Sequence, residues 1–322
     1  MDQNKQKSIA SFGAAFILEQ VQQMEDQVNG VLTADDIEYV HRMRVASRRL
    51  RTALQLFKGY LPGDHAELWR HEIKAITRSL GSARDLDIQI ELIEEKYRTL
   101  CEKIFQPGYK RLLLRLKQKR RDAQQKINLA IQRLQENQTV DSMRTFLERA
   151  SVDQNQDTPA LLGFASGRIH RALTDFLSYQ GYIHMPDNSE KLHAMRIAGK
   201  HLRYTLELFT PLYGDSLTPF IKIMKNIQDQ LGEIHDCDVW VAWLPEFLTQ
   251  EQSRMMDYFG HTKPLKRLLP GIQHLVEDRK FRRQENYKSF LANWQGIKDE
   301  NTWEKLQALL ESSSNQPLHS TR

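Results

Sequence analysis

The chain has 322 residues, 40% of them hydrophobic and 27% charged, enough for two ordinary domains or one large one with its own core. Mean hydropathy is −0.60, and no apolar stretch approaches the ~20 residues of a bilayer-spanning helix, so no membrane partner is expected. The net charge of +5 hides clustering, and the two cysteines, Cys101 and Cys237, make no motif spacing and read as free thiols in a reducing cytoplasm.

Residues 9–18 follow Lys5 and Lys7 as the apolar part of a signal peptide would. Ser11 and Gly13 interrupt that run, no small-residue cleavage site comes after it, and the pattern continues through Phe16, Ile17, Val21, Met24 and Val28. It reads as the first helix of the fold. Long segments of 3.6-residue period dominate the rest of the chain, broken at LPGD (61–64), QPG (106–108), Gly81, Gly214 and Gly232. The expected class is all-α.

Residues 42–51 hold five arginines and no acid. On a helix, His41, Arg44, Arg48 and Arg51 share one face at steps of three and four. Met43, Ala46, Leu50, Ala53 and Phe57 form the neighbouring core stripe. The cationic row is about 15 Å long at ~1.5 Å rise per residue. Like charges one turn apart cost a helix roughly 0.2–0.5 kcal/mol per pair, and a merely solvated face would mix in acids. A bound anion is therefore the functional reading, and a structural network of arginines with aspartates is the plain alternative. LGSARDLDI (80–88) comes next; Gly81 is expected to end a helix, and Asp85 and Asp87 to open the following one. Residues 110–126 carry eight bases against Asp122 and, taken alone, read as a solvated face.

The chain then repeats itself. HRMRVASRRLRTALQLF (41–57) and HAMRIAGKHLRYTLELF (193–209) agree at nine of seventeen positions. The second row is His193, Arg196, Lys200 and Arg203, over a core stripe of Met195, Ala198, Leu202, Leu206 and Phe209. LGEIHDCDV (231–239) answers LGSARDLDI, with Gly232 again read as a helix end. The period of about 150 residues is the size of a helical bundle and exceeds the ~20–50 residues of a solenoid unit. We expect one bundle over 1–150, a polar linker over 151–160, a second bundle over 161–311 facing the first about a pseudo-two-fold axis, and a disordered tail over 312–322. Arg279, Lys280, Arg282 and Arg283 form a last basic group.

Other chemistry is thinly represented. His235, Asp236, Cys237 and Asp238 look rich in metal ligands, but Arg84 stands where His235 repeats, and an arginine does not ligate metal. HEIKA (71–75) lacks the second histidine of a zincin, and neither G-x-x-x-x-G-K-[ST] nor G-x-S-x-G occurs. No catalytic residue, metal or cofactor is expected.

The paired segments H-x-M-R-V-A-x-R-R-L-R and H-A-M-R-I-A-G-K-x-L-R-Y, each followed by L-G-x-x-x-D-x-D, resemble the signature of the CHAD family, the conserved histidine α-helical domain. The resemblance spans roughly 8–310. It implies two pseudo-symmetric four-helix bundles enclosing a basic groove or pore, and binding of inorganic polyphosphate without catalysis. It further implies a place at polyphosphate granules in the cytoplasm, with granule-associated proteins as further partners. By motif position it assigns His41, Arg44, Arg48, Arg49 and Arg51 in the first copy, and His193, Arg196, Lys200 and Arg203 in the second. His201 replaces the second arginine of R-R-L-R, so residues 41–51 are expected to supply the larger share of anion affinity. Lys74 and Lys225 match across the repeat, Arg78 is present in the first copy only, and these would extend the groove. The E-x-E-x-K motif of the domain that often accompanies the family is missing. A nucleic-acid partner is disfavoured, because the rows lack interleaved aromatics for base stacking. A metal-dependent phosphohydrolase using the His-Asp segment is the remaining alternative.

Overall fold

The computed structural model describes residues 3–151 and 157–315. These form eleven α-helices and short 3-10 turns, with no strand among the described residues, so the fold is all-α. Gln3–Glu25 is α1 and Val28–Thr33 the short α2. Ile37–Leu56 (α3) carries the first basic row, and Gly63–Thr99 (α4), Gln106–Glu136 (α5) and Thr139–Ser151 (α6) come after it. Thr158–Leu177 (α7) leads to Ser189–Tyr213 (α8), which carries the second row. Thr218–Phe259 (α9), Leu269–Asp299 (α10) and Thr302–Asn315 (α11) complete the order.

Local chemistry sets the starts and stops. Asp36 caps α3 by accepting from the Glu38 amide at 2.9 Å, and Asn188 caps α8 by accepting from the Lys191 amide at 3.2 Å. Prolines in the first turn open α5, α7, α9 and α10, where a missing N–H costs nothing. Gly260, at φ +68°, closes α9 in the left-handed region that glycine enters without strain. Residues 312–315 of the expected tail continue α11 to Asn315; 316–322 lie outside the described residues, as do 152–156 of the linker.

Within each half the packing obeys one scheme. α3 lies against α1 and α4, α4 against α5, and α1 against α6; α8 lies against α7 and α9, α9 against α10, and α7 against α11. The halves meet through α1 on α7, α3 on α8 and α5 on α10, so each crossing joins helices of the same rank. Four phenylalanines show the reciprocity. Phe12 of α1 stacks on Phe209 at 6.0 Å, Phe164 of α7 stacks on Phe57 at 5.5 Å, and Phe57 meets Phe209 edge-on at 6.4 Å. Residue i touching j′ while j touches i′ is the pattern of an isologous contact. Gly13 allows it, since a Cβ there would stand 2.6 Å from the Phe57 ring.

Both expected core stripes are buried: Met43, Ala46, Leu50, Ala53 and Phe57 on α3, and Met195, Ala198, Leu202, Leu206 and Phe209 on α8. They belong to one apolar cluster that draws residues from both halves, including Ile17, Val21 and Met24 of α1. A second cluster, around Ile93, Tyr109, Trp240 and Phe247, also spans the halves. The core therefore does not divide at the linker.

Candidate anion-binding site

The Leu-Gly motifs do not end helices. α4 runs unbroken through Gly81, and α9 through Gly232, so Asp85, Asp87, Asp236 and Asp238 lie in mid-helix and cap nothing. The glycines have another reason. A Cβ on Gly81 would stand 3.6 Å from Nε of Arg44, and one on Gly232 would stand 3.5 Å from Nε of Arg196. Each glycine is a shelf across which an arginine of the preceding basic row lies.

Because α3 packs on α8, the two rows face each other. Arg44, Arg196 and Lys200 line one cleft of about 660 Å³, together with Asp85, Asp236 and His235. Arg279 and Arg282 of α10, three residues apart and so on one helix face, reach the same cleft. Arg48 and Arg203 both lie over the Tyr204 ring, each 5.1 Å from its centroid. Nε of Arg44, Arg196 and Arg203 is buried with no hydrogen-bond partner among the described residues.

The crowding of like charge is legible in the ionisation of these groups. Burial first, and then Arg196, Arg48 and Arg44, push the Lys200 ammonium down to about 7, against a smaller opposing pull from Asp236. Burial lowers Arg48 to about 10, with Arg44, Arg196 and Arg203 adding to it. Arg196 is lowered chiefly by burial, with Arg44 adding to it and Asp236 and Asp85 pulling the other way. A field that makes cations expensive to hold is one that an incoming anion relieves.

The aspartates divide by position. Asp85 faces Arg44 at 3.8 Å. Asp236 is raised chiefly by burial, with Arg196 pulling the other way. The second aspartate of each pair instead holds an arginine of the next helix: Asp87 accepts from Nε of Arg120 at 2.6 Å, and Asp238 accepts from Arg283. The 110–126 run is likewise occupied by carboxylates, with Arg115 donating to the buried Glu251 at 2.6 Å and Lys117 meeting Glu94 at 2.6 Å. The run is therefore not the simply solvated face expected of it, since Arg111, Arg115 and Arg120 are tied to buried carboxylates, while the 279–283 group is split between cleft and scaffold. Among the described residues, no three His, Cys, Asp or Glu side chains gather as a metal site.

The family model described as the CHAD domain matches residues 15–245. This chain belongs to the CHAD family. The matched span covers most of the chain, though it stops inside α9, short of the 8–310 expected from the motifs. The crystal structure of a CHAD domain from the plant Ricinus communis is similar to this CHAD chain over 89% of its length and 91% of its own, with 20% identity and a TM-score of 0.67. PptA from Streptomyces chartreusis is similar over 89% of this chain and 99% of its own, with 14% identity and a TM-score of 0.57. These likenesses speak to the fold. No curated protein sequence matches.

The CHAD motif residues do not all converge. Arg49 turns to the opposite helix, where its Nη2 donates to Glu207 at 3.0 Å, and Arg203 approaches the same carboxylate at 3.5 Å. His201, its counterpart, has Asp175 of α7 as its charged neighbour, and burial keeps its imidazole below the usual range. Neither lines the cleft. Arg51 lies at the far end of α3 beside Arg78, whose charge adds to burial in lowering it. Lys74 and Lys225 are exposed and outside the cleft lining. His41 is lowered by burial and then by Arg84; His193 is lowered by burial and then by Arg196. The His193 ring sits 4.1 Å from that of His235, which burial first and then His193 push down to about 4, so His235 adds no cation to the cleft at neutral pH. The cleft thus takes one cation from the first row and two from the second. Sequence reasoning missed Tyr204, and named His235, Arg279 and Arg282 without placing them at the cleft. The i, i+3 spacing of Arg279 and Arg282 was the available signal.

Proposed function

We propose that this CHAD chain binds inorganic polyphosphate in the cleft between α3 and α8 and releases it unchanged. The observation that carries the reading is the convergence of Arg44, Arg196 and Lys200 from two facing helices, with buried guanidinium donors that no protein group satisfies among the described residues. Arginine forks suit successive phosphate oxygens, which they grip with parallel charge-assisted hydrogen bonds. The family as a whole is associated with polyphosphate. Arg282 and the Arg51–Arg78 pair extend the cationic surface beyond the central three, as a polymer rather than a single phosphate requires, whereas Arg279 is buried and held by Asp278. Such a protein would gather at cytoplasmic polyphosphate granules.

The test is a titration with polyphosphates of graded length at two salt concentrations. Affinity should rise with length, through multivalency, and fall steeply with salt. Equal binding of a nucleoside triphosphate and a long polyphosphate would sink the reading. So would RNA displacing polyphosphate at equal phosphate concentration. Phosphate release in the presence of Mn²⁺ would overturn the non-catalytic part alone.

A further inference from the structure

The end of the molecule where α9 stops and α5 starts carries side chains that neither the core nor the cleft uses. Tyr258 is 83% exposed, Phe259 52% and Met256 51%, at the last turn of α9. Ile104, in the turn before α5, is 59% exposed. The two segments share one end because α5 and α9 run antiparallel: Lys119 lies over the Trp243 ring at 4.4 Å, and Arg115 holds Glu251 at 2.6 Å. Continuing about 12 Å up α9 from Glu251 reaches Phe259, and a comparable distance back along α5 from Arg115 reaches the Ile104 turn. The close contact of Gly108 with Gly271, where a Cβ on Gly108 would stand 3.0 Å from Gly271 Cα, brings the base of the α9–α10 connection to the same place.

Around this apolar tip stand Lys263, Lys266 and Arg267, all exposed on the 3-10 turn Lys263–Arg267. None of the three makes an ion pair among the described residues, whereas many of the bases elsewhere on α5 and α10 do. Asp257 is the one acid between 256 and 267. The rings are ordered against each other, Tyr258 on Phe259 at 4.7 Å edge-on and Phe259 on His261 at 6.0 Å, so they protrude as a block.

We propose that this end of the molecule docks reversibly on an anionic lipid surface, with Tyr258, Phe259, Met256 and Ile104 entering the headgroup–acyl boundary and Lys263, Lys266 and Arg267 meeting lipid phosphates. Exposed rings beside unpaired cations are complementary to a plane that offers apolar depth and negative charge together. Two of the four apolar side chains, Met256 and Ile104, are aliphatic and offer no face to a nucleic-acid base, which favours lipid over single-stranded RNA. The apolar area is small, so the attachment is weak and depends on the anionic lipid. It does not depend on the polyphosphate reading.

The experiment is co-sedimentation of the full chain with vesicles of phosphatidylcholine alone and of phosphatidylcholine mixed with phosphatidylserine. Binding is expected to the mixed vesicles only and to weaken with salt. Tyr258→Ser with Phe259→Ser should lower it at least tenfold while leaving thermal stability and polyphosphate binding unchanged. Arg44→Glu with Arg196→Glu should leave it intact, and Phe259→Trp should show blue-shifted emission on the vesicles. No sedimentation overturns the proposal. Sedimentation that the cleft variants abolish and the tip variants spare assigns lipid binding to the cleft and overturns it too. So does a tip-dependent dimer in light scattering, or tip-dependent binding of single-stranded RNA, without vesicle binding.

Discussion

The guanidinium of Arg196 lies across Gly232, with 3.5 Å between Nε and the place a Cβ would take, and Arg44 lies across Gly81 in the same way at 3.6 Å. Those separations are ordinary van der Waals contact, so the two glycines tolerate one methyl and no more. Gly232→Ala should therefore stabilise α9 by about 0.5–1 kcal/mol through helix propensity and leave polyphosphate affinity nearly unchanged. Gly232→Leu should displace Arg196 and lower affinity without unfolding the chain. Urea denaturation and a binding titration on the two variants separate these effects.

Arg196 and Arg49 stand in matching motifs and should behave differently. Arg196→Ala removes a cation from the cleft and is expected to weaken polyphosphate binding roughly 10–100-fold, the range for one or two charge-assisted hydrogen bonds. Arg49→Ala breaks the link to Glu207, at 3.0 Å, and should cost about 1 kcal/mol of stability with little change in affinity. Equal losses of affinity in the two variants would show that Arg49 leaves Glu207 to meet the ligand.

Lys200 gives the binding a pH dependence of known sign. Its folded value of about 7 lies below the 10.5 of an unperturbed lysine. Between those limits the unfolded chain holds more protons than the folded one, so stability of the free protein rises with pH across that window. A bound polyanion favours the ammonium, so binding takes up a proton above pH 7 and affinity falls as pH rises. Calorimetry in buffers of different ionisation enthalpy should detect that uptake at pH 8. Lys200→Arg should abolish it and flatten the profile. His235, at about 4, should contribute nothing between pH 6 and 8, which His235→Asn tests.

Glu251 is fully buried and gathers Arg115, Arg111 and Arg254 at 2.6, 3.3 and 2.7 Å. Two of those arginines come from the first half and one from the second. Glu251→Ala leaves three cations crowded without their carboxylate and should cost about 3 kcal/mol, as breaking a buried ion pair does. The loss should appear in urea denaturation, with polyphosphate affinity of the folded protein preserved, since none of the four residues reaches the cleft.

The rows, their core stripes and the helical class were all legible, because periodicity of 3.6 registers both what is buried and what is charged. The glycines were not. A glycine followed by aspartates looks like a helix end and a new cap, and the arginine that crosses over each glycine from another helix is not visible in the sequence. The pairing of Arg49 was hidden for a similar reason: its motif position is that of a ligand, and its partner Glu207 sits on a helix more than a hundred residues away in sequence. Sequence order cannot say which of two facing rows will claim a carboxylate. Burial of Lys200 between Arg196 and Arg48 was hidden in the same way, since it arises only when the rows meet.

The apolar cluster shared by both halves has a consequence for how the chain can be divided. Ile17, Leu50 and Leu147 of the first half belong to the same buried cluster as Ile169, Leu202 and Leu310 of the second. The two halves are then held together by packing between their helices as well as by the chain. A protease cut between the halves should yield two fragments that elute together and melt together, and each expressed alone should expose a large apolar face. A cavity opened in either half is lined by side chains of both, so a core truncation such as Leu50→Ala or Leu202→Ala should lower one shared melting transition rather than split it in two.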